Sequence, residues 1–307
     1  MKIAIVGAGA VGGWYGGLLA LKGHEVYFVT RRDYNIINQN GLCMRDAKGD
    51  KMVKITKAYP DCLSIGVCDL MVIAAKSTAN HTLPDFIKPL IGPTTTLLTL
   101  QNGMGNCETF ASIIPVERIV AGLCFVCINR LSPGVVENTH SGYIRMASAI
   151  GLPSEAVKHC VELFADAGID CQSEQSLDAV LWKKLCWNIP FNGLAIAAGG
   201  ITTDKIMASD LLRERAIELM KEVQAAAAAC GVPFKDEHIE RQLKVTTGMG
   251  AYRPSSLIDY LEGREVEVVG LWGEPLRRGQ AAGVNMPQLS QLKTEIELKL
   301  KARDQLT

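Results

Sequence analysis

The stretch Met1-Lys2-Ile3-Ala4-Ile5-Val6-Gly7-Ala8-Gly9-Ala10-Val11-Gly12-Gly13-Trp14-Tyr15 decides the fold. Residues 3–6 form an apolar run that reads as a strand, and a helical pattern opens after the glycines. Between them lies G-x-G-x-x-G, in the strand-to-helix setting that gives this common motif its meaning. Gly7 permits the tight turn, Gly9 lets backbone approach a pyrophosphate, and Gly12 lets the helix pack closely on the strand. The helix start offers free N–H groups and a partial positive charge to phosphate. Gly7, Ala8, Gly9, Ala10, Val11 and Gly12 are therefore the candidate cofactor loop.

Lys2 before the uncharged stretch 3–21 also has the outline of a secretory signal. Six glycines between positions 7 and 17 make it a poor apolar helix, and no other run is long enough to span a bilayer. The expectation is a cytoplasmic protein without a membrane anchor. Thirty-two basic residues balance 32 acidic ones, so nothing calls for nucleic acid. The ten cysteines are scattered, several in apolar runs, as suits small buried hydrophobes in a reducing compartment. Cys124 and Cys127 form one C-x-x-C without a second pair or a suitably spaced His, so no metal site is expected.

The first half alternates strands and helical patterns. Strands are expected at 3–6, 25–30, 70–75, 95–100 and 119–127, with 135–150 closing one edge of the sheet. This rhythm implies α/β architecture: a Rossmann-type, mostly parallel sheet with helices on both faces. From Leu177 onward the pattern is helical throughout, with a break near Gly270 and Gly273 and a last helix starting at Pro287. Two domains are expected, 1–174 for the cofactor and an all-helical 175–307 for substrate and catalysis, with a ligand cleft between them.

The second strand runs into Arg31-Arg32-Asp33, where an acidic residue would read the ribose hydroxyls of NAD. A guanidinium there suits the 2′-phosphate of NADP, although Asp33 leaves NAD open. Lys76 follows the strand at 70–75 and Gln101-Asn102-Gly103 follows the strand at 95–100. Both lie at carboxyl ends of parallel strands, where such sheets hold ligands.

In the second half, Lys184, Asn188 and Asn192 are spaced i, i+4, i+8 along one helix face, among apolar neighbours. A polar stripe on a buried helix needs partners, from the protein or from a substrate. Pro190 removes a backbone donor and is expected to bend the helix, freeing the carbonyl of Cys186. Ser255 or Ser256 is a natural N-cap for the next helix, and Glu267 lies among apolar residues beyond Gly263-Arg264.

Taken together these residues resemble the ketopantoate reductase family over essentially the whole chain. The resemblance rests on the glycine loop, Lys76, Gln101-Asn102-Gly103, Trp182-x-Lys184-Leu185-x-x-Asn188-x-x-x-Asn192, and Ser255-x-x-x-Asp259 with Gly263-Arg264 and Glu267. It implies NADPH-dependent reduction of a small 2-oxo acid; separately, a monomer or homodimer is expected. Carried over, Lys184 is the general acid, Glu267 holds the substrate hydroxyl and Ser255 binds the carboxylate. Asn188 and Asn192 orient the substrate, Asn102 links the cofactor to Lys184, Lys76 lies near the nicotinamide ribose, and Arg31 takes the 2′-phosphate. A dry site is expected to lower the lysine pKa, and its charge would stabilise the developing alkoxide. Two positions depart from the family pattern: Tyr252 and Thr202 stand where Asn is usual. They leave hydride transfer intact and leave the identity of the oxo acid open. Another bulky 2-oxo acid, or a non-catalytic NADP sensor, are the alternatives.

Overall fold

The computed structural model describes residues 1–151 and 154–305. It divides into two compact units, Met1–Gln101 with Asn106–Leu177, and Asn102–Gly105 with Asp178–Thr307. The second unit begins at residue 178 rather than 175, and it takes four residues out of the middle of the first half.

The first unit is built on ten strands: β1 (Lys2–Val6), β2 (Glu25–Val29), β3 (Leu42–Asp46), β4 (Gly49–Val53), β5 (Lys57–Tyr59), β6 (Leu70–Ile73), β7 (Thr96–Thr99), β8 (Ile119–Ser132), β9 (Val135–Ser148) and β10 (Cys171–Ser173). Their order is β4-β3-β9-β8-β7-β6-β1-β2-β5, with β10 also paired to β9. The run from β8 through β7, β6, β1 and β2 to β5 is parallel, and β8–β9 and β3–β4 are antiparallel hairpins. All four residues of β6 are buried, as required of a strand covered on both faces. The expectation that 135–150 closes an edge is corrected: β9 is interior, covered by β3 and β10, and β4 forms the edge. The β3–β4 hairpin escaped the sequence reading because its outer strand is largely exposed and shows little apolar alternation.

The helices of this unit are α1 (Ala10–Leu21), α2 (Tyr34–Asn40), α3 (Leu83–Ile87), α4 (Asn106–Phe110) and α5 (Glu155–Asp166). Glycine in α1 serves packing. A Cβ on Gly16 would meet Phe28 at 2.4 Å, and one on Gly17 would meet the sulfur of Met44 at 2.4 Å. The uncharged start is thus a helix pressed onto a sheet.

The second unit is helical: α6 (Leu177–Ala197), α7 (Thr203–Ala208), α8 (Asp210–Ala229), α9 (Asp236–Gly248), α10 (Ser255–Leu261), α11 (Glu274–Ala281) and α12 (Pro287–Asp304). A π-helical segment, Val269–Gly273, runs directly into α11, so the expected break near the two glycines is corrected: the helix widens there, and the interruption lies earlier, at residues 262–267. The helix α6 is continuous through Pro190 and supplies the centre of the core, with Trp182, Leu185, Ile189, Phe191 and Leu194 buried. Around it pack Leu219 and Val223 of α8, Trp272, and Leu289, Leu292 and Ile296 of α12. Glu222 of α8 accepts from the backbone N–H groups of Gln288 and Leu289 at 2.8 Å each, satisfying donors at the start of α12. Among the described residues no helix is long and apolar enough to cross a membrane.

Candidate active site

In the sheet unit, three loops meet at the carboxyl ends of adjacent strands. The chain order departs in opposite directions from β1, toward β2 on one side and β6 on the other, so this is the switch point where open α/β sheets bind ligands. Gly7 N–H donates to the carbonyl of Val29 at the end of β2, and Ala75 N–H donates to the carbonyl of Val6 at the end of β1. The glycine loop therefore touches the segments carrying Arg31 and Lys76.

The three motif glycines have different reasons to be there. Gly7 has φ +94°, and a Cβ on it would lie 2.3 Å from the backbone nitrogen of Ala75. A Cβ on Gly12 would lie 2.3 Å from the carbonyl oxygen of Gly7. The fold itself demands both. A Cβ on Gly9 meets nothing within 4 Å, so the protein's own packing leaves that position free. Gly9 is also the N-cap of α1, with no side-chain cap and no acidic residue in the first turn. The open space and the uncapped donors fit a phosphate group.

Asp33, the acidic residue nearest the end of β2, is buried. Its carboxylate accepts from Arg130 Nε at 2.8 Å and Nη2 at 2.7 Å, tying the start of α2 to β8. Arg31 and Arg32 are exposed.

A polar network that sequence reasoning missed joins the strand ends. Gln101 Nε2 donates to the carbonyl of Ala75 at 2.9 Å and to Asn80 Oδ1 at 2.7 Å. Asn80 Nδ2 donates to Asn106 Oδ1 at 3.0 Å. These amides fix the segment bearing Lys76. Asn80 and Asn106 sit in no motif, and only the fold brings them to Gln101.

In the helical unit, Lys184 Nζ donates to Asn102 Oδ1 at 2.9 Å. The Gln-Asn-Gly turn is positioned by close backbone contact. Gly103 has φ +85°, and a Cβ on it would lie 2.5 Å from the carbonyl carbon of Gly270. Met104 N–H donates to the Gly270 carbonyl at 2.9 Å. Gly270 lies three residues after Glu267, whose carbonyl accepts from Leu271 N–H at 3.1 Å at the start of the π segment. Lys184, Asn102 and Glu267 are thereby held on one connected scaffold. At the start of α11, Arg277 and Arg278 hydrogen-bond the Glu274 carboxylate and hold its pKa down, at about 2, against the opposing effect of burial.

The remaining expected residues divide. Asn188 is half-buried, and Ser255 is exposed as the first residue of α10. Asn192 is buried, with Nδ2 donating to the Asn188 carbonyl at 3.1 Å and Oδ1 accepting from Ser256 N–H at 2.9 Å. It caps α10 from another helix. The expectation that Ser255 or Ser256 is the N-cap is corrected, because Pro254 occupies that position and Asn192 supplies the acceptor. Thr202 hydrogen-bonds Asp204, and Tyr252 lies on the loop before α10 with its ring 6.2 Å from that of Trp187. Burial pushes the Cys186 thiol up to about 12, leaving it protonated at neutral pH.

The chain thus combines a glycine loop at the switch point of an α/β sheet with a helical unit in which a lysine is hydrogen-bonded to an amide. The sequence model of "Ketopantoate reductase PanE/ApbA" matches residues 3–150, and that of its C-terminal region matches residues 176–299. The chain is similar to the 2-dehydropantoate 2-reductase of Nostoc, at 37% identity covering 94% of this chain and 92% of the relative. The crystal structure of 2-dehydropantoate 2-reductase from Geobacter metallireducens superposes with a TM-score of 0.93 at 38% identity, covering 97% of this chain and 99% of that one. D-mandelate dehydrogenase, solved with NADH and anilino(oxo)acetate, shares the fold at a TM-score of 0.90 and 21% identity, over 99% of each chain. The chain belongs to the ketopantoate reductase family.

Proposed function

We propose that the protein reduces 2-dehydropantoate to pantoate with NADPH. Family membership supports the oxidoreductase chemistry and the small oxo acid substrate. The observation that carries the reading is the 2.9 Å hydrogen bond from Lys184 to Asn102, which aims a primary amine from a largely buried helix. When bound, NADPH supplies the hydride that the carbonyl carbon receives. Lys184 donates its Nζ proton to the carbonyl oxygen and is reprotonated from solvent. Its positive charge also favours the oxyanion, which exists only on the way to product. Ser255, at the start of a helix capped by Asn192, takes the substrate carboxylate, while Asn188 orients the ketone and Glu267 the hydroxyl.

The preference for NADPH rests on two observations. Asp33 is committed to Arg130, so no carboxylate at the end of β2 is left to read ribose hydroxyls. Arg31 is exposed beside the glycine loop and suits a 2′-phosphate. Lys76 and the N–H groups of the residues following Gly9 serve the rest of the dinucleotide. The test is NADPH consumption with 2-dehydropantoate. Turnover with identified pantoate as product supports the reading, and NADPH binding without reduction of any 2-oxo acid defeats it.

A further inference from the structure

We infer that Trp187 and Tyr252 form the specificity-determining surface for the carbon next to the ketone, selecting 2-oxo acids that carry a bulky, fully substituted apolar group there. The inference deepens the proposed reduction and rests on it. Successive residues of an α-helix turn by about 100°. On α6, Lys184 and Asn188 therefore mark the middle of one face, Asn192 lies to one side and Trp187 to the other. The two sides differ in chemistry. On the Asn192 side, amide and backbone groups lead to the start of α10 and Ser255. On the Trp187 side, the neighbours are aromatic. The Trp187 ring lies 5.2 Å from Phe191 and 6.2 Å from Tyr252, centroid to centroid.

The indole is also fixed in place. Its Nε1 donates to Thr246 Oγ1 at 2.8 Å, and that hydroxyl donates to the Gln242 carbonyl at 2.7 Å. Thr246 is fully buried, and its single proton is committed to Gln242, so it serves the indole as an acceptor. With its only polar atom satisfied on α9, half-buried Trp187 offers apolar ring surface alone. Tyr252 is held by its backbone: its carbonyl accepts from Thr203 N–H at 3.0 Å, and its N–H donates to the Gly250 carbonyl at 2.8 Å. A rigid aromatic flank beside the reacting lysine rewards methyl groups and is indifferent to most else. One methylene in such a surface is worth roughly 10- to 200-fold in discrimination.

The test compares kcat/KM for three acids: 2-dehydropantoate, its deoxy analogue 3,3-dimethyl-2-oxobutanoate, and unbranched 2-oxobutanoate. The wild type is expected to prefer the dimethyl acid over the unbranched one by tenfold or more. Trp187→Ala and, separately, Tyr252→Ala should each compress that ratio severalfold, mainly through KM, as loss of uniform apolar contact requires. Trp187→Phe, which keeps apolar surface and loses the bond to Thr246, should restore most of it. Glu267→Gln should instead change the ratio of 2-dehydropantoate to its deoxy analogue. Tyr252 sits on a loop, so its variant reports even if Trp187→Ala folds poorly. A branched-to-unbranched ratio unmoved by any variant overturns the inference while leaving the reductase intact. A wild type that reduces none of the acids overturns both.

Discussion

The two units hold their candidate residues in opposite ways. In the sheet unit the glycine loop is defined by side chains that are missing: Gly7 and Gly12 have no room for a Cβ, and a Cβ on Gly9 would meet no described residue within 4 Å. In the helical unit the candidate residues are side chains that are present and held by others, as Lys184 is by Asn102 and the start of α10 is by Asn192. Shape made of backbone is rigid and tolerates no addition. Shape made of side chains can be tuned one group at a time.

The sharpest probe of that contrast removes the amine. Lys184→Ala should lower kcat by roughly 100- to 10,000-fold, with NADPH affinity measured by fluorescence nearly unchanged. A loss below tenfold would end the general-acid assignment.

The glycines should separate by kind of damage. Gly7→Ala forces a Cβ against backbone at positive φ, so thermal unfolding should show a loss of about 3 kcal/mol or more. Gly9→Ala should melt like the wild type and bind NADPH at least tenfold more weakly by titration calorimetry, about 1.4 kcal/mol. If both variants lose stability alike, the distinction between fold-required and ligand-required glycines fails.

Arg31→Ala should weaken NADPH by roughly ten- to a hundredfold and leave NADH almost unaffected, since a charge-assisted hydrogen bond is worth about 1.5–3 kcal/mol. Equal losses for both cofactors would move the 2′-phosphate contact to another residue. Asn192→Ala leaves the Ser256 N–H without its acceptor and should cost about 1 kcal/mol of stability. In the same variant KM for the oxo acid should rise more than kcat falls.

The smallest effect concerns pH. Glu274 has its pKa depressed from 4.5 to about 2 in the folded protein by Arg277 and Arg278. A depressed carboxylate stabilises the fold above its unfolded pKa, and the contribution is lost as pH falls from about 4.5 toward 2. Glu274→Gln should therefore be less stable than the wild type at neutral pH in urea titrations, with the gap closing below pH 4.5. A gap independent of pH would show that packing, rather than charge, explains the residue.

The same contrast explains what could be read from the chain alone. The glycine loop and the parallel strands were legible because backbone requirements and local periodicity write themselves into consecutive residues. The stripe Lys184, Asn188 and Asn192 was legible from its spacing, but its internal division was not. Asn192 reaches Ser256 across 64 positions, and Trp187 reaches Thr246 across 59. Nothing in the neighbourhood of either residue announces such a partner. Asp33 is a related case: its bond to Arg130 spans 97 positions and could not be read from its place after β2. The exposed β4 edge carried too little apolar alternation to declare itself.

The membership of Asn102–Gly105 in the helical unit carries a genetic consequence. No single scission of the chain separates the two units whole. A chimera that joined the first 174 residues of this protein to the second half of a relative would part Asn102 from Lys184 and Gly103 from Gly270, the partners this chain gives them. Exchange that keeps these contacts must therefore transplant that tetrapeptide together with the downstream half, so Lys184 is tied to a codon some eighty triplets upstream.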